Sequence, residues 1–297
     1  MLTFFTTPKP FLGHIGIIQR NALGSWKQFD PDVEIILFGD EKGAAGTARE
    51  LGIRHEPEVK RNEHGTKFLT PIFDRAQEIS RHDLLCYVNC DILLLSDFRE
   101  SLRRVAQLGG TFLMSGRRWD TDIREPLDFS LPDWESRLRR RVLEENNQRP
   151  VEWIDYFAFS RGLYYQNTPP LVIGRPGWDN WLLWKARKAG ARIVDASSLV
   201  LAVHQNHDYS YHPDGEKGVW EGQEARQNFA LLKGGQYATV ENATHRLTPN
   251  GLQWNWRHWP AVARRRSRAA AFSCWFALLD LTRPLRTRLG LRRHGAG

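Results

Sequence analysis

Residues 83–95 form an almost unbroken apolar run with two polar side chains, Asn89 and Asp91, near its middle. Such a run, rich in residues that suit a pleated surface and bounded by polar ones, predicts a strand buried on both faces. The two-residue spacing puts Asn89 and Asp91 on one face of that strand and Cys90 on the other. A buried carboxylate is costly unless something compensates it, and a divalent cation is one such partner.

The chain on either side alternates. Residues 2–6 read as a strand, 15–29 as a helix with Ile17, Ile18, Ala22 and Trp26 on one face, and 33–38 as a second strand closed by Gly39 and Asp40. A short helix is expected over 46–51, an extended piece over 53–55, and a stronger helix over 69–79. This order predicts a mainly parallel sheet with helices on its faces. In such sheets ligands bind beyond the carboxyl ends of the strands. Thr6, Thr7, Asp40, Asn89 and Asp91 all fall at expected strand ends, which predicts that they converge on one crevice.

Further along, 98–108 and 133–145 read as helices, 111–115 as extended, and 153–159 as a strand containing Asp155 and Tyr156. Gly177 permits a turn into a helix beginning near Trp178, and 193–203 reads as a strand running into His204, Gln205, Asn206, His207 and Asp208.

With 297 residues, 41% of them hydrophobic, the chain can bury a substantial core. One α/β domain is expected over 1–256, followed by a basic tail over 257–297. The twelve tryptophans suit a protein that handles sugars or sits near a membrane, although a large core uses them too. Cys86, Cys90 and Cys274 make neither a disulfide framework nor a zinc pattern, so a reducing, cytoplasmic setting is expected. The first residues lack the basic start and apolar length of a secretory signal, and no apolar run approaches the ~20 residues that a spanning helix needs. The net charge of +8 lies largely in the last forty or so residues, and no nucleic-acid motif accompanies it, so nucleic acid is not an expected partner. Between 264 and 293 the only acid is Asp280, while Phe272, Trp275, Phe276 and Leu279 fall at helical spacing. A basic amphipathic segment of this kind reads as lying on an anionic membrane surface, with a docked terminal helix as the plainer reading.

Three constellations carry chemistry. Asp91 suits Mn²⁺ or Mg²⁺ bridging a diphosphate, and Asn89 can pair with a ribose hydroxyl without adding charge. Asp179, in the first turn of its helix, is either a plain capping carboxylate or a general base. His204 and His207, with Asp208 beside them, offer imidazole nitrogen to a metal, whereas a lone histidine in an apolar strand is more often a satisfied core residue.

Tyr87, Val88, Asn89, Cys90, Asp91, Ile92, Leu93 and Leu94 resemble the acidic metal-binding triplet that ends a central strand in GT-A glycosyltransferases, with asparagine in its first acidic position. The resemblance, to the bacterial family-2-like type, runs with gaps from Leu2 to about Tyr211. It implies a Rossmann-like GT-A fold and transfer of a sugar from a nucleotide-diphosphate donor to a hydroxyl acceptor, and the tail alone points to a lipid-linked or cell-envelope glycan as that acceptor. It also implies donor contacts from Thr6, Asp40, Asn89 and Asp91, a metal held by Asp91 with His204 or His207, and Asp179 as the base of an inverting transfer. Lys67 is assigned either to a phosphate or to solvent. Asp155, Tyr156 and Trp178 are assigned to the acceptor, Trp178 by stacking on a sugar face, while Trp181 and Trp184 are expected in the core. A sugar nucleotidyltransferase would want a glycine-rich basic loop after the first strand, which Thr6, Thr7, Pro8, Lys9 and Pro10 do not supply. A non-catalytic nucleotide-sugar or glycan scaffold is the other alternative.

Overall fold

The computed structural model describes residues 1–165, 168–209, 212–232, 235–256 and 274–275. The chain opens with β1 (Thr3–Thr6), α1 (Gly13–Lys27), β2 (Glu34–Phe38), α2 (Ala44–Leu51), β3 (Arg54–Glu56), α3 (Leu69–Ile79) and β4 (Leu84–Val88). β5 (Ile92–Leu93), α4 (Ser96–Ala106), β6 (Phe112–Ser115), β7 (Arg118–Thr121), α5 (Trp134–Glu145) and β8 (Tyr156–Ser160) follow. The remainder holds α6 (Trp178–Lys188), β9 (Arg192–Asp195), β10 (Ala202–Gln205), α7 (Gly215–Glu221), α8 (Gln223–Leu231), β11 (His245–Thr248) and β12 (Gly251–Trp254).

Nine strands form one sheet in the order β12-β11-β9-β6-β8-β4-β1-β2-β3. The first third is parallel throughout, as the alternation predicts: β4, β1, β2 and β3 all run the same way. β8 enters antiparallel between β4 and β6, and β11 and β12 close the far edge as an antiparallel pair. The fold class is therefore α/β with a large, mostly parallel central sheet.

Alternation along the strands splits the core into two layers. Phe5, Tyr87, Phe157 and Phe159 face α3 and α6, where Phe73, Trp178, Trp181 and Leu183 pack on them. Phe4, Cys86, Val88 and Tyr156 face α1 and α4 through Trp26, Phe98 and Leu102. Each fully buried side chain of this size contributes about 1.5–3 kcal/mol.

Two sequence expectations are corrected here. The run 83–95 is not one strand. β4 ends at Val88, the Asn89 amide donates to the Asp155 carbonyl (2.9 Å), and Ile92 N donates to the Asn89 carbonyl (3.1 Å), which turns the chain. β5 then joins a separate three-stranded sheet, β5-β10-β7. Likewise the run 193–203 is two strands, β9 in the large sheet and β10 in the small one, because Leu199 N and Val200 N both turn back to the Ala196 carbonyl. The tail over 257–297 lies outside the described residues apart from Cys274 and Trp275.

Candidate active site

Asp91 sits in the turn between the two sheets, with 8% of its surface exposed. β10 pairs antiparallel to β5 with His204 opposite Ile92, and that register brings the imidazole alongside the carboxylate. The Gln205 backbone and side-chain amides both donate to the Asp91 carbonyl, at 3.1 and 3.2 Å, and hold the turn against β10. His207 follows just beyond β10, with Nε2 3.2 Å from Asp91 Oδ2. One donor atom each from Asp91, His204 and His207 falls within 4.8 Å of the others.

A cation completes this cluster: Lys9 Nζ lies 3.2 Å from Asp91 Oδ2 and 2.8 Å from His207 Nε2. Burial alone would push the Asp91 carboxyl up, but Lys9, followed by His207 and His204, outweighs it and holds the group well below the usual carboxylate range. The second oxygen, Oδ1, is enclosed without a hydrogen-bond partner. An ionised carboxylate with an orphaned buried oxygen, facing two imidazoles, fits a divalent ion of the Mn²⁺ kind.

Behind these groups runs a buried ionic chain. His204 Nδ1 lies 3.3 Å from Asp120 Oδ1, close but not in hydrogen-bond alignment. Arg118 donates through Nε to Asp120 (2.8 Å) and through Nη1 to Asp155 (2.9 Å). Asp155 in turn accepts from Asn89 Nδ2 at 2.6 Å. Arg118 and Arg149 each lie 4.6 Å from the Trp153 ring centre. Asp120 lies behind the His204 ring as Asp155 lies behind Asn89, and Arg118 joins the two carboxylates. One polar row thus backs both Asn89 and His204.

Asp179 belongs to α6, which starts after Gly177 in the left-handed region (φ 98°). A Cβ on Gly177 would come within 3.0 Å of Leu232, so both the turn and the packing favour glycine there. The residue keeps some surface, but Oδ1 is enclosed without a hydrogen-bond partner. Its carboxyl is pushed up to about 7, first by burial and then by the charge of Asp155, with backbone amides at the helix start opposing the rise.

The other sequence candidates are dispersed. Thr6 is fully buried at the end of β1, while Thr7 pairs with the Tyr87 hydroxyl at 3.2 Å. Asp40 is exposed and bound to Arg61 at 2.5 Å, and Arg61 also donates to Glu41 at 3.0 Å. Lys67 is not a solvated lysine. It is buried between Glu41 Oε1 (2.5 Å) and the Pro8 carbonyl (2.8 Å), and its desolvation lowers the ammonium pKa against the pull of Glu41. Trp178 packs on Tyr87 and Phe157, at 5.2 and 5.6 Å between ring centres, and is a core residue rather than a platform for a sugar. Tyr156 is fully buried edge-on to Phe98, because alternation sends it to the face opposite its neighbours in β8. The acceptor assignments of both aromatics are therefore withdrawn, whereas Asp155 lies in the polar row. Trp181 is buried in the core and Trp184 packs against it.

Sequence reasoning passed over Lys9, Arg118 and Asp120. The last two carried a signal: opposite charges two apart in an extended segment share a face. Lys9 carried none, because its partners are 82 and 198 residues away.

No protein-family model matches the chain, and no curated protein matches it. Among solved structures it is similar to glucosyl-3-phosphoglycerate synthase from Mycobacterium tuberculosis in complex with Mg²⁺ and uridine diphosphate (TM-score 0.45, 16% identity, 78% of each chain covered). It is also similar to the mannosyltransferase PcManGT from Pyrobaculum calidifontis in complex with GDP-Man and Mn²⁺ (TM-score 0.47, 15% identity, 96% of this chain and 82% of that one). A third is S. aureus TarS in complex with UDP-GlcNAc (TM-score 0.45, 11% identity, 70% of this chain and 59% of that one).

Proposed function

We propose that the chain is a divalent-metal-dependent glycosyltransferase that moves a sugar from a nucleotide-diphosphate donor to a hydroxyl acceptor with inversion. The observation that carries this reading is the pairing of two unlike carboxylates: Asp91, ionised among His204, His207 and Lys9, and Asp179, half-buried and pushed up to about 7. Asp91, His204 and His207 would hold Mn²⁺ or Mg²⁺, which supplies charge neutralisation to the departing diphosphate. Asn89, fixed by Asp155, is assigned to the ribose, and Asp40 to the nucleoside. Asp179 takes the proton from the acceptor hydroxyl as its oxygen attacks the anomeric carbon. A carboxylate with a pKa near 7 is both present and basic enough for that step at neutral pH.

Residues 1–256 form the transferase domain in this reading, and 257–297 are a basic amphipathic tail that rests on an anionic membrane face. Among the described residues no helix is long and apolar enough to cross a membrane. The tail favours a lipid-linked or cell-envelope acceptor at the cytoplasmic face.

A donor screen that reads released nucleotide diphosphate, on wild type and Asp91→Ala, tests the assignment. Mn²⁺-stimulated release from the wild type and almost none from the variant is the expected result. Equal release from both removes the metal role of Asp91, and binding without turnover makes the chain a nucleotide-sugar scaffold.

A further inference from the structure

Lys9 stands between Pro8 and Pro10, and its backbone is gripped from both sides. Lys9 N donates to Gln19 Oε1 at 2.6 Å, and Gln19 Nε2 donates back to the Lys9 carbonyl at 2.9 Å. Gln19 is 1% exposed, and buried Lys67 holds the preceding carbonyl, that of Pro8. With the backbone fixed, only the flexible side-chain stem can move the ammonium. It reaches Asp91 Oδ2 and His207 Nε2, two of the groups proposed to bind the cation.

Geometry makes the two occupants exclusive. His207 turns Nδ1 to the Asp208 carbonyl at 2.7 Å and Nε2 to both Lys9 Nζ and Asp91 Oδ2, at 2.8 and 3.2 Å. A ring nitrogen offers one in-plane site, so a metal ion on Nε2 would need the place that the ammonium takes. Two cations on one carboxylate would also repel each other inside a site that excludes most water.

We infer that Lys9 competes with the divalent cation for Asp91 and His207, so that metal entry must expel the Lys9 ammonium. This rests on the metal centre proposed above. The side chain is 25% exposed and can swing toward solvent, where the phosphate oxygens of a bound diphosphate would offer it a partner. The cation alone therefore binds against a seated competitor, and a metal–diphosphate complex gives that competitor a new partner.

Titration of the full-length protein with Mn²⁺ alone, by calorimetry and by loss of the free-ion paramagnetic resonance signal, tests the competition. Lys9→Met is expected to bind Mn²⁺ about tenfold more tightly than wild type, the scale of one charge-assisted hydrogen bond removed. Unchanged or weaker binding overturns the inference. Should Lys9→Met not fold, Lys9→Gln is expected to show the same tightening, and its absence there overturns the inference equally. Asp91→Asn separates the two claims. If it binds Mn²⁺ like wild type, the metal centre itself fails, and the competition with it. If it abolishes binding while Lys9→Met matches wild type, the competition alone fails.

Discussion

The turn after β4 and the start of α6 each present an enclosed aspartate, and the two hold their protons oppositely. Asp91 is kept ionised because the Lys9 ammonium and two imidazoles face it. Asp179 faces backbone amides and, nearby, a second carboxylate, Asp155, whose own cation is Arg118. Burial acts the same way on both, so the difference comes from where the positive charge is aimed. In the proposed reading, that separation is what would let one carboxylate hold a metal and the other move a proton.

The comparison can be broken most severely at Asp91. Asp91→Ala should lower Mn²⁺-dependent release of nucleotide diphosphate by about 1000-fold, the scale of a lost electrostatic contact to the leaving group, measured at saturating donor. Asp179→Asn should lower turnover by about 100-fold while leaving Mn²⁺ affinity unchanged, which calorimetry checks. For wild type at saturating Mn²⁺, turnover should fall roughly tenfold per pH unit below about 7, as Asp179 takes up its proton, while the residual activity of Asp179→Asn follows no such limb.

Asp179 also bears on stability. Its carboxyl is raised from 3.8 to about 7 on folding, so between those values the folded chain holds the extra proton. Stability therefore falls as pH rises through that window. Asp179→Asn should gain on the order of 2 kcal/mol in urea unfolding at pH 8, and the gain should vanish by about pH 4. Asp120→Asn should weaken Mn²⁺ about tenfold by removing the negative charge beside His204, with the fold intact by circular dichroism. The smallest effect is expected at Tyr156→Phe. Its buried hydroxyl has no hydrogen-bond partner, so turnover should be unchanged and stability should shift by less than about 0.5 kcal/mol.

The parallel half of the fold was legible because its helices carry one apolar stripe and its strands are apolar on both faces. The meeting of Asp91, His204 and His207 was legible for a related reason: polar side chains at the ends of apolar strands collect where those strands end. The small sheet was hidden, because β5 is only two residues long and no periodicity can mark it. Trp178 and Tyr156 were misassigned because a sequence does not say which face of a strand, or which side of a helix, is covered. Lys9 and the row from Asn89 through Arg118 to His204 depend on contacts between distant segments, and only Arg118 and Asp120 left a local trace.

The register that sets His204 opposite Ile92 has a mechanical consequence. The proposed cation, held between the turn at Asp91 and the segment just past β10, would clasp the small sheet across a seam that β5 secures with only two residue pairs. Draining the ion should make the stretch around 202–207 the first to breathe, with its amides exchanging hydrogen well before those of β1 and β4.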